Sequence, residues 1–126
     1  MMIIQLLETA MMSNQIEGNS LRGHLETMVL SVLEDTEAHG FEVLRRLELA
    51  GCGALRMKEG SLYPALYRLE EQGYLTAHWE MGNNDRRGPQ RKLYKITRKG
   101  KRKLERGRQQ WSLFVSVIGG IVGAPA

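Results

Sequence analysis

The sequence predicts a mainly helical α+β domain carrying one small β-hairpin, and three observations predict it. Apolar residues recur at helical spacing in five separate stretches. Only one stretch, YLTAHWEM at 74–81, alternates with the period of a half-buried strand. It is followed by nine turn-forming and charged residues, GNNDRRGPQ, and then by RKLYKIT, which can return as its antiparallel partner. The length of 126 residues and a hydrophobic content of 42% fit a single core of modest size.

The elements follow in order. Ile3, Leu6, Leu7, Ala10 and Met11 predict a short leading helix, which SNQIEGNS interrupts. Ser20 can cap the next helix, where Leu21, Leu25, Met28, Val29, Val32 and Leu33 form a core-facing stripe. EDTEAHG is a polar connection, with His39 as a turn or cap residue. FEVLRRLELAG then pairs Phe41 with Leu44 and Val43 with Leu47, and Gly51 and Gly53 end that helix. A short extended piece fits between Ala54 and Lys58.

GSLYPALYRLEEQG has both ends marked and predicts a helix from Ser61 to Gln72. Ser61 is the expected N-cap, Pro64 falls in the first turn where its missing N–H has no intrahelical partner, and Gly73 supplies the left-handed stop. Leu62, Leu66 and Leu69 face the core. The opposite side carries Tyr63, Pro64, Tyr67 and Arg68, an aromatic surface that needs a partner.

In the hairpin, Leu75, Ala77, Trp79 and Met81 share one side, and the tip region bears Arg86, Arg87 and Arg91. Thr97 can cap a last helix in which Leu104, Trp111 and Ile118 recur every seven residues and Val115 and Val122 fill the second seam position. Gly100 and Gly107 weaken its first half. This helix is basic first and apolar afterwards, so it projects past a core of this size, and self-association would cover its aromatic end.

Composition narrows the function classes. Cys52 is the single cysteine, which excludes an intramolecular disulfide and suits the cytoplasm. The apolar start lacks the basic flank of an export signal, and WSLFVSVIGGIVGAPA is shorter than the ~20 apolar residues a membrane span needs. His24, His39 and His78 are scattered, with no metal spacing, phosphate loop or nucleophile motif, so the sequence predicts neither an enzyme nor a cofactor or metal site. Charge is strongly segregated. Residues 86–108 hold twelve of the eighteen lysines and arginines against one acid, Glu105, while residues 1–85 hold the other six against thirteen acids. A concentrated basic segment on a folded module fits phosphate contact.

Three helices, a short strand and a two-stranded hairpin, in that order, are the parts of a winged helix-turn-helix. LRGHLETMVLSVL, HGFEVLRRLE, GSLYPALYRLEEQGYL and RKLYKITRKG resemble, in order and spacing, the corresponding stretches of PadR family transcriptional regulators, over roughly residues 20–118. GSLYPAL followed by RLEEQGYL is the specific part. With one helix after the hairpin, the chain resembles the short branch of the family.

Residues 1–17 fall outside the resemblance and read as an N-terminal helical extension, while the resemblance implies a winged-helix DNA-binding domain at 18–97 and a dimerisation helix and tail at 98–126. It implies that Ser61, Tyr63, Pro64, Tyr67 and Arg68 lie nearest double-stranded DNA, with Arg86, Arg87, Arg91 and Lys92 contacting it from the hairpin. Lys95, Arg98 and Lys99 would extend that footprint. It further implies a homodimer, with Leu104, Trp111, Phe114, Val115 and Ile118 at its interface, acting as a repressor on a palindromic operator. Trp111 is also the residue at which a small aromatic effector would bind between subunits. A protein-interaction module without DNA binding is the alternative use of the same fold.

Overall fold

The computed structural model describes residues 24–80 and 91–123. The expected leading helix, the Ser20 cap and the hairpin tip with Arg86 and Arg87 lie outside the described residues. Within them the order is α1 (Leu25–Val32), β1 (Ala38–His39), α2 (Gly40–Ala50), α3 (Glu59–Glu71), β2 (Leu75–Trp79), β3 (Lys92–Ile96) and α4 (Arg98–Val122). These four helices and a small antiparallel sheet, ordered β1-β3-β2, form a winged helix.

The helical stripes bury largely as their spacing requires. Leu25, Val29, Leu30 and Leu33 around α1, Val43 and Leu47 from α2, and Leu62, Ala65, Leu66 and Leu69 from α3 meet Leu75, Tyr94, Ile96 and Leu104 in one core. Each fully buried leucine contributes about 1.5–3 kcal/mol of transfer free energy. Phe41 departs from expectation: it is 67% exposed, because α2 turns Val43 and Leu47 inward and its neighbour Gly40 is the residue covered by α3.

The third strand is not where the sequence placed it. Between Ala54 and Lys58 only Leu55 makes a bridge. The paired strand is Ala38–His39, in the segment read as a connection, with Ala38 opposite Tyr94 and His39 opposite Leu93. His39 precedes α2 with extended backbone (φ −73°, ψ 160°), the conformation an N-cap position and a strand share.

Both ends of α3 matter for what it presents. The helix begins two residues before the expected cap: Lys58 is the N-cap and Ser61 lies inside the first turn without a capping bond. Pro64 therefore sits beyond the first turn and withholds an N–H from the carbonyl of Gly60, where the reading from sequence assumed no such loss. The C-terminus closes as expected at Gly73 (φ 82°), with the Tyr74 amide donating to the Leu69 carbonyl at 2.8 Å and the Gly73 amide to that of Glu70 at 3.0 Å. Helix α2 ends in the same motif, but its left-handed residue is Cys52 (φ 54°) rather than Gly51, with Gly53 following at φ 78°.

Thr97 caps α4 as expected, its Oγ1 accepting from the Gly100 amide at 2.9 Å. Gly100 and Gly107 prove to be contact residues. A Cβ at Gly100 would overlap the Tyr74 carbonyl oxygen, and one at Gly107 would overlap the Thr27 side chain. The missing side chains let α4 lie close against the sheet and α1.

Candidate nucleic-acid interface

Burying Leu62, Ala65, Leu66 and Leu69 turns the opposite side of α3 to solvent. Pro64 and Tyr67 (61% exposed) occupy the middle of that outward side. Tyr63 stands on the flank nearest α2. It is 43% exposed, and its ring approaches so closely that a Cβ at Gly40 would lie 2.7 Å from Tyr63 Cε1. One edge of the ring packs inward while the rest faces solvent.

Arg68 leans to the other flank. Its Nε lies 3.7 Å from Glu26 Oε1 on α1, and it lines an open polar cleft with Glu26, Thr27, Lys103, Arg106 and Gln110. Ser61 is exposed on the first turn, free to offer its hydroxyl there. The N-terminus of α3 adds a feature that the sequence reading missed. Arg56 and Lys58, both exposed and without an ion-pair partner among the described residues, lie immediately before the first turn, where the helix carries its partial positive charge. Glu59 offsets part of that field. The sequence signal was present in LRMKEG, but it acquires meaning only once the helix is seen to start at Glu59.

On the hairpin, Arg91 is exposed at the entry to β3, and its carbonyl accepts from the Glu80 amide at 2.8 Å. Lys92 differs from the sequence reading. Its ammonium donates to Glu70 Oε1 of α3 at 2.9 Å and lies 5.3 Å from the centre of the Trp79 ring. The bond to Glu70 raises the Lys92 pKa above that of an ordinary lysine and ties hairpin to helix, so Lys92 would have to leave Glu70 to meet a phosphate. Lys99 is similarly engaged, donating to the Gln72 carbonyl at the C-terminus of α3 at 2.7 Å and lying over the Tyr74 ring. Lys95 and Arg98 are exposed and have no ion-pair partner among the described residues.

The last helix separates into two halves. Leu104 was expected at a subunit interface, but it is only 1% exposed, packed within its own chain's core, and cannot serve a partner. Further along, Trp111 and Phe114 stack with centres 5.8 Å apart, and the edge of His24 meets Trp111 at 5.1 Å. Val115 is exposed and Ile118 half-buried. Leu113, Val117 and Ile121 form a second exposed apolar row at four-residue spacing, which the seven-residue reading passed over.

Comparison with known proteins agrees with this geometry. Residues 29–106 match the family model described as the Transcriptional regulator PadR-like family. A transcriptional regulator from Clostridium thermocellum superposes with a TM-score of 0.74 at 28% identity, over 85% of this chain and 98% of that one. A PadR-like transcriptional regulator from Bacillus cereus gives 0.69 at 28% identity, over 86% and 100%. The Escherichia coli protein named transcriptional regulator YqjI is 30% identical over 88 residues, which are 70% of this chain but only 39% of that protein. Among the described residues no helix is long and apolar enough to cross a membrane.

Proposed function

Since this chain belongs to the PadR-like family of transcriptional regulators, DNA-binding proteins rather than enzymes, we propose that it is a sequence-specific, dimeric repressor of transcription acting in the cytoplasm. In this reading α3 lies in the major groove. Tyr63, Pro64 and Tyr67 meet the bases, and Ser61, Arg56 and Lys58 hold phosphates at the helix N-terminus. Arg68 would leave Glu26 to reach the backbone, while Arg86, Arg87 and Arg91 follow it from the hairpin. The observation that carries the reading is the half-exposed tyrosine surface of α3, preceded at its N-terminus by two exposed cations, Arg56 and Lys58.

Two copies joined through the apolar half of α4 would set their α3 helices about one turn of DNA apart on a palindromic operator, blocking polymerase. Residues 98–126 are then the dimerisation element, with Trp111, Phe114, Val115 and Ile118 at the seam. A small aromatic effector stacking on Trp111 would change the spacing of the two α3 helices.

The test is a division of labour across a salt series. Arg86→Ala and Arg87→Ala should weaken binding on all duplexes alike, each lowering the salt slope by about 0.9. Tyr63→Ala or Tyr67→Ala should alter the preference between sequences instead. Identical behaviour of all four variants would contradict the assignment.

A further inference from the structure

The hairpin holds an aromatic residue that neither the core nor the assigned DNA contacts use. Trp79 ends β2 on the same face as Leu75 and Ala77, since residues two apart share a side of a strand. Leu75 is buried and Ala77 is partly so, but Trp79 is 57% exposed. Its cross-strand partner is Lys92, the lysine bonded to Glu70 of α3. One turn before Glu70 on that helix stands Tyr67, the most exposed aromatic residue of α3. The Lys92–Glu70 tie thus joins two half-bare rings, Tyr67 on the helix and Trp79 on the hairpin, across the boundary between them.

A tryptophan left this open contributes little to folding, and an exposed indole adds an association hazard that a surface glutamate or threonine would avoid. The Lys92 ammonium beside its ring fixes its position at small cost. Resting on the assignment of α3 and the hairpin to DNA, we propose that Trp79 is itself a DNA-contact residue, its indole packing on a deoxyribose of the backbone strand that passes between α3 and the hairpin. Such a contact is apolar. It adds affinity without releasing a counterion, and it is distinct from the arginine contacts at the hairpin tip.

The experiment uses the full chain labelled with 5-fluorotryptophan. The sequence has two tryptophans, so the spectrum has two fluorine signals, and the one lost in Trp79→Phe belongs to Trp79. Adding a duplex that the wild-type chain binds should move the Trp79 signal and remove most of its solvent isotope shift. Trp79→Ala should weaken binding five- to twenty-fold at every salt concentration with an unchanged slope, and Trp79→Phe should recover most of the loss. Lys92→Ala separates a positioning role, since it should leave Trp79 shielded in the complex. Wild-type binding with a Trp79 signal as solvent-exposed as in the free protein, or Trp79→Ala binding like wild type, overturns this inference alone. Absence of DNA binding by the wild-type chain overturns the parent reading and this one with it.

Discussion

Arg108 of α4 grips Glu34, two residues past α1, with both prongs of its guanidinium: Nη1 donates to Oε2 at 3.0 Å and Nη2 to Oε1 at 2.8 Å. Nη2 also reaches Ser31 Oγ at 3.4 Å. The pair locks the last helix to the first where the basic half of α4 gives way to its apolar half.

The bond from Arg108 holds the Glu34 carboxyl below the usual carboxylate range. A carboxyl with a lowered folded pKa adds stability above its unfolded pKa and loses it as the pH falls through the folded value. The pair is more than a third exposed, so Glu34→Gln should cost only ~0.5 kcal/mol at pH 7, about 2–4 °C in Tm. Thermal melts of wild type and variant should converge in acid. A gap that persists there would remove the ion pair as its cause.

Gly107→Ala would stabilise an unobstructed helix by about 0.5–1 kcal/mol. Here the sign should reverse, because the new methyl would strike the Thr27 side chain, with an expected loss of about 1–3 kcal/mol. Urea denaturation reads the difference, and adding Thr27→Ala should recover most of it. Gly100→Ala should cost more and resist such rescue, since it would strike the backbone carbonyl of Tyr74.

How much of this was legible in the sequence differs by element. Helical stripes such as Leu62–Leu66–Leu69 and the stop at Gly73 were, because burial and a left-handed residue leave one-dimensional patterns. The cap at Thr97 was legible for the same local reason. The strand at Ala38–His39 was not, since two residues carry no period and pair only through β3. Nor could the fate of individual cations be read. Lys92, Lys95 and Lys99 look alike in sequence, yet Lys92 is held by Glu70 and Lys99 by the Gln72 carbonyl, while Lys95 has no such bond among the described residues. Leu104 and Trp111 share a seven-residue spacing, but the first is buried in the core and the second is left half open.

Phe114→Asp combined with Val115→Asp should disrupt association, because both residues stand in the proposed seam, are exposed in the single chain and lie outside the core. Light scattering should give the mass of one chain, with the far-ultraviolet circular dichroism retained. A dimer that survives both charges would move the interface to another face.

Arg56→Ala and Lys58→Ala should each weaken binding to all duplexes alike and lower the salt slope by about 0.9, as expected of phosphate contacts at a helix N-terminus. A change in sequence preference on replacing either would place it against bases instead.

The central claim is that this chain reads DNA sequence as a dimer. The most direct measurement is binding of the purified protein to a labelled duplex from its own promoter region and to a scrambled duplex of equal length, across a salt series, with the mass of the complex determined by light scattering. Two chains per duplex and a clear preference for the promoter sequence at every salt concentration are the predicted result. A dimer that binds both duplexes equally weakly would contradict it and favour a winged helix that serves protein interaction.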